Sequence, residues 1–261
     1  MVRGILVAGL ILTGLATVAW AGPAEERGLA IMEEQERINK GFRDEAGRYK
    51  MTLINSNGDR SERLLQFKTL EGEKDAGDKT LIVFLAPPDV KSTALLTHTA
   101  KKGDDDQWLY LPALRRVKKI ASSTKSSSFV GSEFTYEDLT PRELDKYAWK
   151  HLRDETVDGV AVWVVESVPQ FKDSGYSKME LFIQQDNHQT IRTNFYDKKG
   201  ELIKVGRFQG WSKVGGQWWR TKVSTMENVQ TKKSTVLETL ETRFGNRFSA
   251  RDFTTQVLEK Q

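Results

Sequence analysis

From Gly47 to Phe244 the sequence returns again and again to short apolar runs that alternate with polar residues and stop at turn signals. Tyr49, Met51 and Leu53 alternate with Lys50 and Thr52, and Asn57-Gly58 then marks a hairpin. Leu65 and Phe67 continue the pattern. Residues 80–86 are apolar almost throughout, as in a strand buried on both faces, and Pro87-Pro88 closes the run. A short strand is expected at 95–99, and Trp108 and Tyr110 share one face of the next while Leu109 and Leu111 share the other. Further strands are expected at 147–153, 160–168, 178–184, 190–196, 202–208, 218–226 and 234–244. Asp158-Gly159, Asp186-Asn187, Lys199-Gly200 and Gly215-Gly216 punctuate them. About eleven strands so closely spaced leave no room for the crossovers that parallel pairing needs, so the chain reads as a mainly β, antiparallel meander.

Three stretches break the rhythm. Residues 24–42 are rich in Glu, Arg, Ala and Met, with Leu29, Met32, Ile38 and Phe42 at roughly helical spacing behind Pro23, which predicts an N-terminal amphipathic helix. Residues 114–146 form one long excursion. It holds the polar run 122–128 (SSTKSSS), expected to be mobile, and the sequence Thr140-Pro141-Arg142-Glu143, which predicts a short central helix over 141–147. Long excursions on a β scaffold serve as lids or binding loops. Residues 1–21 read as an export signal: Arg3 precedes an apolar core from Ile5 to Val18, and Ala19-Trp20-Ala21 gives the small-x-small cleavage pattern. An uncleaved anchor is the alternative. Gly22 stands where a lipoprotein would carry Cys, so no lipid anchor is expected. The expected organisation is a signal peptide at 1–21 and a single domain at 22–261, exported and, in a Gram-negative cell, periplasmic.

Charge and composition narrow the function classes. The 261 residues carry 40 Lys and Arg against 36 Asp and Glu, a formal +4, too even for a nucleic-acid binder. With no Cys, disulfides, thiolate metal sites and Cys nucleophiles are excluded together. The histidines, His98, His151 and His188, have no metal-ligand spacing, and no nucleophile elbow, phosphate loop or dinucleotide fingerprint occurs. Asp104-Asp105-Asp106 reads as a solvated acidic turn rather than a calcium loop. Glu133, Glu137 and Asp138 are close enough in sequence to pair as acid and base, but spacing alone does not separate their pKa values. No enzyme activity and no cofactor are expected.

Seven Trp and twelve Phe fall mostly on the strands. Residue by residue they read as core. Collectively, one curved and unclosed sheet with two helices cannot fill its own concavity, and an apolar cleft in an exported protein suits acyl chains. The expected lining is Leu53, Phe67, Phe84, Trp108, Tyr110, Phe182 and Phe195. Arg115, Arg116, Lys118 and Lys119 follow directly on the Trp108–Leu111 aromatics and are candidate contacts for lipid headgroups or a partner protein. A solvated edge strand explains them about as well.

Two long motifs carry a family resemblance: Asp105-Asp106-Gln107-Trp108-Leu109-Tyr110-Leu111-Pro112-Ala113-Leu114-Arg115-Arg116-Val117 and Gly131-Ser132-Glu133-Phe134-Thr135-Tyr136-Glu137-Asp138-Leu139. With Phe195-Tyr196-Asp197-Lys198-Lys199-Gly200 and Lys233-Ser234-Thr235-Val236-Leu237, they make the chain similar to the LolA-like outer membrane lipoprotein-sorting protein family, in the branch associated with RND- or MMPL-type transporters. The resemblance implies a curved, incomplete antiparallel β-barrel whose helices form a lid over a hydrophobic cavity. It implies a monomeric periplasmic carrier that binds lipid or lipoprotein acyl chains and shuttles them between inner and outer membranes. It further implies an inner-membrane RND- or MMPL-type transporter and an outer-membrane acceptor as partners. The alternative within the same likeness is an accessory protein-contact module of such a transporter, and a periplasmic hydrolase is a third class.

Overall fold

The structure is a computed structural model and describes residues 22–73 and 76–260; the expected export signal lies outside them. Helix α1 (Pro23–Asn39) comes first. The first run of strands is β1 (Asp44–Ile54), β2 (Arg60–Leu70), β3 (Ala76–Ala86), β4 (Ala94–Ala100), β5 (Asp106–Leu111) and β6 (Arg116–Lys119). After the excursion come β7 (Tyr147–Val157), β8 (Val160–Pro169), β9 (Lys178–Gln184), β10 (Thr190–Tyr196) and β11 (Leu202–Gln209). Then follow β12 (Ser212–Val214), β13 (Trp218–Arg220), β14 (Val223–Asn228), β15 (Ser234–Phe244) and the one-turn helix α2 (Thr255–Leu258).

Thirteen strands form one curved antiparallel sheet in the order β6-β5-β4-β3-β2-β1-β15-β14-β11-β10-β9-β8-β7, and β12 pairs with β13 as a separate ribbon. The order explains the shape. The chain meanders outward from β1 to β6, crosses to the far edge, and meanders back from β7 to β15, which seals the seam against β1. Edge strands β6 and β7 do not pair, so the barrel stays open, and residues 120–146 must span from one edge to the other. Local chemistry sets the tight turns. Asp158 (φ 51°) and Gly159 (φ 81°) supply the two left-handed residues that a two-residue hairpin between Val157 and Val160 requires.

The inner face is apolar and covered in both halves of the sheet, and the outer face of the β1–β6 half is covered as well. On the inner face Met51, Leu65, Ile82, Phe84, Leu95 and Leu109 pack under Phe129 and Tyr136 of the excursion. Beyond the seam Trp149, Val165, Met179, Leu181, Ile183, Phe195 and Met226 pack under Ile31 and Met32 of α1 and Phe134 of the excursion. Leu139 and Leu237 join the two clusters. On the outer face Leu81, Val83, Leu96 and Tyr110 pack under Phe253 and Leu258 from the C-terminal segment. Phe253 and Leu258 are fully buried, and each such side chain contributes about 1.5–3 kcal/mol.

The expected β class and the N-terminal helix are found, with differences in detail. The sheet has thirteen strands rather than about eleven; β6 and the β12–β13 ribbon were not anticipated, and the run expected at 218–226 divides into β13 and β14. The central helix expected over 141–147 is a single 3-10 turn at Leu144–Lys146. Thr140 cannot cap a helix, because its hydroxyl donates to the Tyr136 carbonyl (3.1 Å) and accepts from Gln107 Nε2 (3.2 Å). The polar run at 122–128 is tethered: it contains a 3-10 turn at Ser122–Thr124, and Lys125 Nζ donates to the Asp105 carbonyl at 2.6 Å.

Helix α1 lies flat on β7 because residue 28 has no side chain. A Cβ built on Gly28 falls 2.7 Å from the backbone of Lys150 and His151, which cannot yield as a flexible side chain does. Gly28→Ala therefore lifts the helix from its seat and is expected to cost about 1–3 kcal/mol, despite alanine's better helix propensity. A thermal melt checks this, and an unchanged or raised midpoint would contradict it.

Candidate functional site

The excursion meets the inner face through a small set of polar contacts. Asp138 reaches Lys204 of β11 at 2.5 Å, and both side chains are about 5% exposed or less. Asp138 also accepts from the Thr135 amide (2.7 Å) and the Tyr176 hydroxyl (2.8 Å). The Lys204 ammonium sits 5.0 Å from the Tyr176 ring centre and 5.1 Å from that of Phe195. Next to it, Glu137 accepts from Ser174 Oγ (2.5 Å) and the Gly175 amide (2.8 Å), while burial pushes its carboxyl above the ordinary carboxylate range. Glu133 contributes its amide to Thr235 Oγ1 (2.9 Å). All three acidic residues weighed as acid–base partners thus help to seat the excursion on the sheet. At its far end Lys146 Nζ meets Asp105 Oδ1 at 2.5 Å, and the Trp149 indole donates to the Leu144 carbonyl.

Between this seat and the sheet lies a cavity of about 220 Å³, walled by Phe134, Tyr147, Tyr176, Met179, Phe195 and Met226, with Arg142, Thr193 and Trp211 completing it. A neighbouring cavity of about 360 Å³ opens beside α1, lined by Met32, Gln35, Leu144, Trp211, Trp219 and Arg220. A larger groove of about 560 Å³ runs along the turn ends of β7–β11 past Val160, Ile191, Arg192 and Phe208. Trp211 borders all three spaces, held by an indole N–H bond to the Thr190 carbonyl at 3.0 Å. Arg142 borders the first two and lies over the rings of Tyr147 (5.6 Å) and Trp149 (6.0 Å).

The residues read from the sequence divide between the two faces. Phe195 lines the 220 Å³ cavity. Leu53, Phe67 and Phe84 lie on the inner face across the seam, where Phe84 stacks on Phe129 of the excursion at 5.5 Å. Trp108, Tyr110 and Phe182 are on the outer face: Tyr110 and Trp108 pack with the C-terminal cluster and Phe182 with Val162 and Val164. Trp108 stands edge-on to His98 at 5.1 Å, and His98 Nε2 bonds the Phe253 carbonyl at 2.7 Å. The four cations occupy the β5–β6 hairpin. Lys119 pairs with Asp106 at 2.6 Å and lies over Trp108, whereas exposed Arg115, Arg116 and Lys118 make no ion pair among the described residues. Leu114 at the hairpin tip is 68% exposed. Among the described residues no group of three or more His, Asp or Glu is placed to hold a metal ion, and no helix is long and apolar enough to cross a membrane.

Sequence reasoning missed Arg142, Lys204 and Trp211. Lys204 interrupts an apolar strand (Leu202-Ile203-Lys204-Val205) at an inner-face position, the one available signal that a cation is buried there. Trp211 and Arg142 lie between elements, where periodicity carries no information.

Comparison with known proteins bears on this geometry. A family model described only as an uncharacterized protein matches residues 76–260. A crystal structure from Vibrio parahaemolyticus, described as an outer membrane lipoprotein-sorting protein domain, is 42% identical, covers 90% of this chain and 99% of its own, and superposes with a TM-score of 0.87. A DUF1329 family protein from Desulfovibrio piger is 26% identical over 90% of this chain and 99% of its own, with a TM-score of 0.85. A LolA superfamily protein from Nitrosomonas europaea shares the fold at 18% identity and a TM-score of 0.70, over 88% of this chain and 98% of its own. No curated protein matches the sequence.

Proposed function

We propose a function from one premise: this chain belongs to the LolA-like outer membrane lipoprotein-sorting protein family. It is a periplasmic carrier. One domain, residues 22–261, binds the acyl chains of a lipid or lipoprotein without chemistry and shuttles them between inner and outer membranes as a monomer. The observation that carries this reading is the pair of apolar-walled cavities, about 220 and 360 Å³, lying side by side beneath the excursion and α1.

The smaller cavity is below the 300–1,000 Å³ of ordinary ligand pockets, so loading requires the excursion to lift. The exchange is close to balanced. Phe129, Phe134 and Tyr136 leave the inner face, and hydrocarbon takes over the surface they covered at about 0.8 kcal/mol per buried methylene. The excursion and the cargo therefore compete for one apolar face, and release needs only a surface on which the cargo is equally at home. Purified protein mixed with vesicles containing a pyrene-labelled phospholipid is expected to draw the label into solution as a soluble complex. Absence of extracted label, together with preparations free of lipid by mass spectrometry, would sink the carrier reading.

The contact with the membrane falls to the β5–β6 hairpin, which presents exposed Leu114 among Arg115, Arg116 and Lys118. Cations near an anionic bilayer contribute about 1 kcal/mol each. Reversing all three to Glu is expected to weaken binding to vesicles rich in anionic lipid by roughly 100-fold or more at low salt, with little change on neutral vesicles. Equal binding of parent and variant in a co-sedimentation assay would move the contact elsewhere. If the hairpin instead meets a transporter of the RND or MMPL type, the same variant keeps its vesicle affinity and loses capture of that partner.

A further inference from the structure

We infer that the cargo carries an anionic head group, a carboxylate or a phosphate, and that Arg142 receives it at the border of the two cavities; this rests on the carrier reading. Five formally charged side chains line these cavities: Glu36, Glu137, Asp138, Arg142 and Arg220. Glu36 is paired with Lys40, Arg220 with Glu45 at 2.6 Å, and Asp138 with Lys204 at 2.5 Å. Glu137 is held by the Ser174 hydroxyl and the Gly175 amide. Arg142 alone has no carboxylate within ion-pairing distance among the described residues.

The guanidinium of Arg142 is held by neutral groups rather than by a carboxylate: the Tyr147 hydroxyl accepts a hydrogen bond from it. Its central carbon lies 5.6 Å from the Tyr147 ring centre and 6.0 Å from that of Trp149, and Nη2 approaches the Met179 sulfur at 3.8 Å, a weak acceptor. These neutral contacts use only part of the five N–H donors and leave the positive charge uncompensated. An arginine edge is shaped for two parallel bonds to a carboxylate or a phosphate. Arg142 is exposed, so an arriving head group stays near water while its chain runs inward along Met179, Phe195 and Met226. An uncharged polar head group leaves this cation unmatched in a lining where Glu36, Asp138 and Arg220 are ion-paired and Glu137 is hydrogen-bonded.

Three dansyl-labelled probes of one chain length separate the outcomes: an alkyl carboxylate, an alkyl phosphate and the neutral methyl ester of the carboxylate. Fluorescence titration of the full chain from residue 22 is expected to show at least one anion bound tenfold or more tighter than the ester. The better of the two anions identifies the head group. Arg142→Gln is expected to bring the anions down to the ester's affinity without changing the ester, and Arg142→Lys to restore part of the preference. If the parent binds ester and anions alike, or Arg142→Gln weakens all three equally, the inference is overturned and the carrier reading stands. Should none of the probes bind while pyrene-lipid extraction also fails, it is the carrier reading that falls. Thermal midpoints of both variants within a few degrees of the parent confirm that the site, not the fold, was altered.

Discussion

Lys204→Met is expected to destabilise the protein by about 3–5 kcal/mol, lowering its thermal midpoint by roughly 6–20 °C. Methionine keeps the length and the apolar stem of lysine, so the change isolates the charge. What it leaves behind is Asp138, 4% exposed and deprived of its cation, with the Thr135 amide and the Tyr176 hydroxyl as its donors among the described residues. A buried ion pair adds little relative to a well-packed neutral pair, because desolvation offsets most of the attraction; breaking one partner away is what costs. Adding Asp138→Asn to Lys204→Met should recover much of the loss, and the double-mutant cycle should show a coupling of about 1–3 kcal/mol. Two single variants whose losses simply add would mean that Asp138 and Lys204 do not act on each other, and the excursion would need a different anchor.

This pair also shows where the sequence stops being informative. Its members are 66 positions apart, on an excursion and on a strand, and neither carries a local mark of the other. The β class and the antiparallel order were legible because period-two runs and turn residues are local signals, and the antiparallel fold follows from them without long-range information. Asp158-Gly159 is a turn in any context that allows a hairpin. The face on which each residue lies was not legible in the central strands. Leu181-Phe182-Ile183 and Trp108-Leu109-Tyr110-Leu111 are apolar at every position, because the inner face is covered by the excursion and α1 and the outer face by packing of its own. Choosing the larger aromatics picked Phe182, Trp108 and Tyr110, which the structure places outside, while Phe195, Phe84, Phe67 and Leu53 lie inside. The C-terminal turn that covers Tyr110 is only four residues long, too short for periodicity to reveal.

The same excursion offers the sharpest test of how cargo enters. A Cβ built on Gly175 lies 2.7 Å from Cβ of Ser126, so the β8–β9 connection and the excursion touch there directly. Disulfides have Cβ separations near 3.5–4.5 Å, and a shift of about 1 Å in an exposed loop accommodates one. The chain has no native cysteine, so Ser126→Cys with Gly175→Cys introduces two thiols that can pair only with each other within a molecule. Closing a loop of that length is expected to raise stability by up to about 4 kcal/mol in the chain-entropy account. If the excursion must leave the inner face for hydrocarbon to enter, the oxidised protein is the more stable and the less active form. Its extraction of pyrene-labelled lipid should fall to the background of spontaneous exchange, and dithiothreitol should restore it with a lower melting point. That opposition of stability and transfer distinguishes a locked lid from a damaged fold, in which both would decline together. Oxidised protein that loads lipid as fast as the reduced form would show that the cargo reaches the cavities past Trp211 and α1, with the excursion still seated.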